Sequence, residues 1–89
     1  MIKYEADVLK NIKKGKVPER TFLQFHHSFQ SIEIIGDMSI FDIKKMKGDF
    51  KREYYRIRKG NYRAIFYLEK KNIYVIAMGN RKEVYIKWE

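Results

Sequence analysis

The 89-residue chain reads as one α+β domain: two N-terminal helices packed on a small antiparallel twisted sheet. Three observations predict it. Apolar residues recur at helical spacing over roughly the first 35 positions. After Ser39 the pattern changes to period-two alternation. Gly60-Asn61 and Lys70-Lys71-Asn72 then punctuate the second half at hairpin spacing. A chain this short buries only roughly 60–65% of its unfolded surface, so residues 1–89 leave no room for a second domain or a large cofactor cleft.

Residues 4–14 place Tyr4, Val8, Leu9 and Ile12 at helical spacing, and Gly15 ends the segment. Pro18 suits the first turn of a second helix, in which Phe22, Phe25, Phe29 and Ile32 form a buried stripe. Gly36-Asp37 ends that helix. Ile43 to Met46 is a short strand, and Lys47-Gly48-Asp49 is a turn. Tyr54 to Arg58, Tyr62 to Glu69 and Ile73 to Met78 follow as three strands of a meander. Gly79-Asn80 and a short tail close the chain.

The charge is uneven. Residues 1–43 hold six Lys/Arg and six Asp/Glu, whereas residues 44–89 hold fourteen against five, so the net +9 lies wholly in the second half. Six of the seven tyrosines lie there too. A half-molecule of this kind suits a polyanionic partner, most simply a nucleic acid, with tyrosines that either stack on bases or fill strands. There are no cysteines, which excludes disulfides and thiolate metal sites. The two histidines, His26 and His27, are adjacent and point roughly 100° apart on a helix, so they cannot ligate together. The N-terminus Met1-Ile2-Lys3-Tyr4-Glu5 lacks a signal-peptide core, and no apolar run approaches ~18 residues. The expectation is a cytoplasmic protein with no membrane partner.

The hairpin register matters most for function. Period two puts Arg56 and Arg58 on one face of their strand, with Tyr55 and Ile57 on the other. A two-residue Gly60-Asn61 turn pairs Arg58 with Arg63 and Ile57 with Ala64. A three-residue loop would set Arg63 on the apolar face beside Ile57, a costly burial of charge. The two-residue turn is therefore selected, and it gathers Arg56, Arg58 and Arg63 on one side. Such a patch is either a solvated face or a phosphate site, since guanidinium forks contact phosphate bidentately.

Three motifs occur in order: a K-x-x-G turn at Lys45 to Gly48, a Y-x-I-R-x-G-x-Y-R hairpin at Tyr55 to Arg63, and a G-x-R-x-x-x-Y ending at Gly79 to Tyr85. Together they resemble the RelE branch of the RelE/ParE toxin superfamily. The resemblance implies the RelE-like microbial RNase fold and the toxin role in a type II toxin–antitoxin pair. It implies cleavage of mRNA in the ribosomal A site by 2′-OH attack on the neighbouring phosphate, with no metal or cofactor. The partners would be a cognate antitoxin, mRNA and the ribosome. By motif position, Arg56 and Arg58 are the basic residues of the first hairpin strand, and Arg63 is the phosphate and transition-state contact. Arg81 is the general acid or charge stabiliser at the leaving oxygen, and Tyr85 orients or stacks on the nucleotide. Lys44, Lys45, Lys47, Lys51 and Arg52 form a phosphate-facing surface, and Trp88 serves packing or antitoxin contact. Arg at both the 56 and 58 positions leaves the proton acceptor unassigned. Met1 to Tyr4 is short for the family's first strand, and a long C-terminal helix is not expected. Two rival readings remain: a ParE-like poison of DNA gyrase, and a basic RNA-binding module that never cuts.

Overall fold

A computed structural model describes residues 1–48 and 51–88, with side chains in the last helix described as far as Val84. The expected turn at Lys47-Gly48-Asp49 therefore lies partly outside the described residues. The elements run β1 (Ile2–Tyr4), α1 (Ala6–Lys13), α2 (Glu19–Ile35), β2 (Ile43–Lys45), β3 (Tyr55–Lys59), β4 (Tyr62–Glu69), β5 (Asn72–Asn80) and α3 (Arg81–Trp88). One five-stranded sheet has the order β1-β5-β4-β3-β2.

The aromatic stripe of α2 is its core face. Phe25 and Phe29 are fully buried, Ile32 nearly so, and Phe22 packs at the margin. Ser28 completes the face and satisfies its hydroxyl by donating to the Gln24 carbonyl at 3.1 Å. Pro18 stands immediately before the helix, and Gly36 ends it at φ 78°, where a Cβ would be strained. Against this stripe lie Ile57, Ala64, Phe66, Ile73, Val75 and Met78 of the sheet, with Phe29 meeting Phe66 edge-on at 5.2 Å. These residues define the inner face.

Four features differ from the sequence expectation. The sheet is mixed, because β1 pairs parallel to β5 (Ile2 with Ile73, Tyr4 with Val75) beside an otherwise antiparallel meander. Tyr4 thus belongs to a strand rather than to the first helix, which begins at Ala6. A three-residue strand is too short to show a period, and its partner lies some seventy residues away. The third strand is longer than expected and absorbs Gly79-Asn80. Finally, the tail is an eight-residue helix, α3, that packs on β4 and β5. Asn80 caps it: the side-chain oxygen accepts from the Glu83 N–H at 3.1 Å.

The meander has one irregularity. Ile65 opposes Ala77, yet Phe66 opposes Val75, so Ile76 is an extra residue on β5. The bulge reverses the alternation of β5. Met78 faces the core on one side of it, Val75 and Ile73 on the other. Among the described residues, no helix is long and apolar enough to cross a membrane.

Candidate functional site

The hairpin turn has two residues, and the pairs are Lys59 with Tyr62, Arg58 with Arg63, and Ile57 with Ala64. Gly60 adopts φ 59° at the first turn position, as a type II′ hairpin requires. Directly paired residues share a face. The outer face of the sheet, opposite α1 and α2, therefore carries three transverse rows. The first holds Arg58, Arg63 and Gly79. The second holds Lys44, Arg56, Ile65 and Ala77. The third holds Tyr67 and Tyr74, with Lys3 beyond them on β1. Successive rows are two residues, roughly 6.5 Å, apart along the strands.

The three arginines are not equivalent. Arg58 is half exposed, and its guanidinium meets the Asp42 carboxylate at 2.6 Å. The Arg58 N–H also donates to the Asp42 carbonyl at 3.1 Å, so Asp42 continues β2 onto the same face. One carboxylate uses at most two of five guanidinium donors, so Arg58 stays fixed and able to bind. Arg56 is half-buried, and its Nε is enclosed with no hydrogen-bond partner among the described residues. An enclosed donor of this kind demands an acceptor. Arg63 is only 5% exposed. It sits across from Gly79, over which the first turn of α3 folds. A Cβ on Gly79 would stand 3.1 Å from Glu83 Oε2 and 3.6 Å from Val84 Cγ2. The patch is therefore graded from exposed Arg58 to buried Arg63, not a uniformly solvated face.

Arg81 is exposed at the start of α3, and its backbone N–H donates to the Asn61 carbonyl at 2.8 Å. That bond ties it to the hairpin turn, one step beyond the Arg58–Arg63 row. A cation in a first helical turn opposes the helix dipole, so helix stability gives no reason for Arg81. Tyr85 lies four residues further along α3, and its side chain, like that of Trp88, is outside the described residues.

Of the expected phosphate-facing lysines, Lys44 shares the arginine face by register, opposite Arg56. Lys45 points the other way beside Tyr55, and its ammonium donates to Glu53 at 2.8 Å. That hydrogen bond raises the Lys45 pKa and lowers that of Glu53, whose second oxygen accepts from the Tyr55 hydroxyl at 3.0 Å. Lys47 and Lys51 are exposed between β2 and β3. Arg52 lies over the Tyr67 ring, 4.1 Å from its centroid. The histidines belong to the other side of the molecule. His26 shares a 2.8 Å hydrogen bond with the Tyr4 hydroxyl, and burial raises the Tyr4 pKa. Sequence reasoning missed Asp42 and the helical setting of Arg81. The spacing Asn80-x-x-Glu83, a capping-box pattern, signals that helix.

A scan of protein-family models finds no match to the sequence, and neither does a search of curated proteins. Solved structures do match. The RelB–RelE antitoxin–toxin complex from Methanococcus jannaschii aligns over 98% of this chain and 99% of the matched chain, with TM-score 0.75 and 25% identity. The RelE–RelB complex from Pyrococcus horikoshii OT3 aligns over 90% and 92%, with TM-score 0.65 and 26% identity. YafQ from Escherichia coli BL21(DE3) aligns over 96% and 97%, with TM-score 0.66 and 12% identity.

Proposed function

We propose that this RelE-like chain is the toxin of a type II toxin–antitoxin pair, acting as a ribosome-dependent, metal-independent mRNA endoribonuclease. The observation that carries the reading is the outer face, where Lys44, Arg56, Arg58 and Arg63 share two adjacent rows within a RelE-like fold. The 2′-oxygen of the mRNA attacks its own phosphorus, the bond to the 5′-oxygen breaks, and the products are a 2′,3′-cyclic phosphate and a 5′-hydroxyl. Negative charge builds on the phosphorane oxygens. Arg58, prepositioned by Asp42, and the half-buried Arg56 beside it bind those oxygens. Arg63 holds the floor of the site and supplies fixed positive charge from below. Arg81, docked at the hairpin turn, stabilises the charge on the leaving 5′-oxygen, and Tyr85 orients the nucleotide; the 2′-hydroxyl gives its proton to water, and water returns one to the 5′-oxygen.

A guanidinium keeps its proton at neutral pH, so this set works by charge and alignment rather than by strong base catalysis. The ribosome supplies the alignment, and free RNA is cut slowly or not at all. The partners are then mRNA and the ribosome in the cytoplasm, and a cognate antitoxin that neutralises the toxin.

The test maps mRNA 5′ ends on translating ribosomes by primer extension, with the parent protein and Arg81→Ala. Cuts within the A-site codon should fall about 10²–10³-fold in the variant, the usual loss for one transition-state charge contact. Growth arrest with intact mRNA and damaged DNA would instead identify a gyrase poison. RNA binding without cuts would identify a passive RNA-binding module.

A further inference from the structure

The third row of the outer face has no part in the chemistry proposed above, yet it carries a stacked pair of tyrosines. Tyr67 and Tyr74 oppose one another across β4 and β5, with ring centroids 4.9 Å apart and planes inclined by 13°. Tyr54, just before β3, meets Tyr67 edge-on at 5.8 Å. All three rings are half-buried. Cations surround them: Arg52 over Tyr67, Lys3 paired in register with Tyr74, and Lys44 and Arg56 in the adjoining row.

Packing does not require this arrangement. The core is filled from the inner face, where Phe66, Ile73 and Val75 alternate with these tyrosines and are 0–1% exposed. A sheet face open to solvent is satisfied by Thr, Lys or Glu. Here it carries a column of Arg52, Tyr67 and Tyr74 among positive charges, and a base stacks at the ends of that column while the cations attract the backbone, the combination that binds single-stranded nucleic acid. The row lies four residues along β4 from Arg63, about 13 Å. That distance is spanned by roughly two to four nucleotides, between an extended strand and a stacked one of about 3.4 Å rise.

We infer that Tyr54, Tyr67 and Tyr74, with Arg52, form a base-stacking platform that grips single-stranded RNA a few nucleotides from the phosphate held by Arg56 and Arg58. The inference rests on the RNA-directed reading of the arginine rows and adds a second anchor on the same strand. Any base has a face to stack, so the platform sets the strand's path and is largely indifferent to its sequence.

The experiment measures binding of a fluorescein-labelled 12-nucleotide single-stranded RNA by anisotropy over a salt series, in an Arg81→Ala background that prevents cutting. Tyr67→Leu/Tyr74→Leu keeps apolar bulk and removes the rings. It should weaken binding roughly 5- to 150-fold while leaving the slope of log affinity against log salt unchanged, because the phosphate contacts remain. Tyr67→Phe/Tyr74→Phe should bind within about 2-fold of its parent. With the unmodified protein, photocrosslinking of a 4-thiouridine-labelled oligonucleotide should mark peptides containing Tyr67 or Tyr74. Unchanged affinity in the folded leucine variant, or crosslinks confined to other peptides, would overturn the platform. So would a leucine variant that loses only its hold on the antitoxin, which would make the row a protein contact. Primer extension keeps the two readings apart. If the parent cuts on ribosomes and the leucine variant cuts as well and at the same positions, the platform fails and the nuclease stands. If the parent never cuts yet the anisotropy result holds, the nuclease fails and the platform stands.

Discussion

The inner and outer faces of the sheet are built from the same strands, one residue out of phase. Ile57 is fully buried against α2, while its neighbours Arg56 and Arg58 turn outward to an unsatisfied donor and an ion pair. Phe66 fills the core, and Tyr67 next to it joins the aromatic row. Period two thus divides labour: the inner face carries the main core, and the outer face carries the charged and tyrosine rows, with Ile65 and Arg63 its buried exceptions. Apart from those two positions, a substitution can be read first by parity.

One paired comparison and two single substitutions test that division, from the largest effect to the smallest. Phe66→Ala empties a fully buried aromatic position and should cost about 3–5 kcal/mol, lowering the thermal midpoint by about 12 °C or more. On the outer face of the neighbouring strand, Arg58→Ala should change stability by less than about 1 kcal/mol, since its pair with Asp42 is half exposed. If calorimetry gave the two variants similar losses, the division of faces would be wrong. Gly60→Ala tests the turn that sets the parity. A Cβ there meets nothing within 4 Å, so the cost is purely that of φ 59° for an L-residue, about 1–2 kcal/mol. Denaturant titration checks it. The smallest effect is at Glu53, whose pKa is lowered first by the Lys45 hydrogen bond. A depressed folded-state pKa stabilises the protein above the ordinary carboxylate value and ceases to do so as pH falls through it. Urea midpoints of the parent should therefore exceed those of Glu53→Gln slightly at pH 7, and the gap should close as pH falls through the lowered Glu53 pKa. A gap that stayed constant across the acid range would show that Glu53 acts by packing and not by charge.

What the sequence made legible followed from local rules with large penalties. The α2 stripe was plain because four apolar residues repeat at helical spacing before a glycine stop. The hairpin register was plain because the alternative buries Arg63 against Ile57. The short edge strand β1 was legible only through the family resemblance, and its parallel pairing not at all, since three residues carry no period and the partner is distant in sequence. Helix α3 had a cap signal at Asn80 and Glu83 but no clear apolar stripe. The burial of Arg63 depends on α3 folding back over Gly79, which no local pattern announces. The opposite orientation of Lys44 and Lys45 was implicit in period two, and a run of basic residues obscured it. The tyrosine row was hidden for a different reason: Tyr67 and Tyr74 become opposite only through the bulge.

That bulge carries a consequence for how the outer face is assembled. Ile76 acts as a spacer between two sections of β5 that would otherwise keep a single alternation. On the Gly79 side, the strand is in step with the arginine rows; on the Tyr74 side, it is in step with the aromatic row. Straighten the bulge with Ile76 still in line, and one section must turn over: either Tyr74 goes inward in place of Val75, or Met78 leaves the core. Set aside from the ladder, Ile76 lets one strand serve two sections of surface while keeping an unbroken hydrophobic underside.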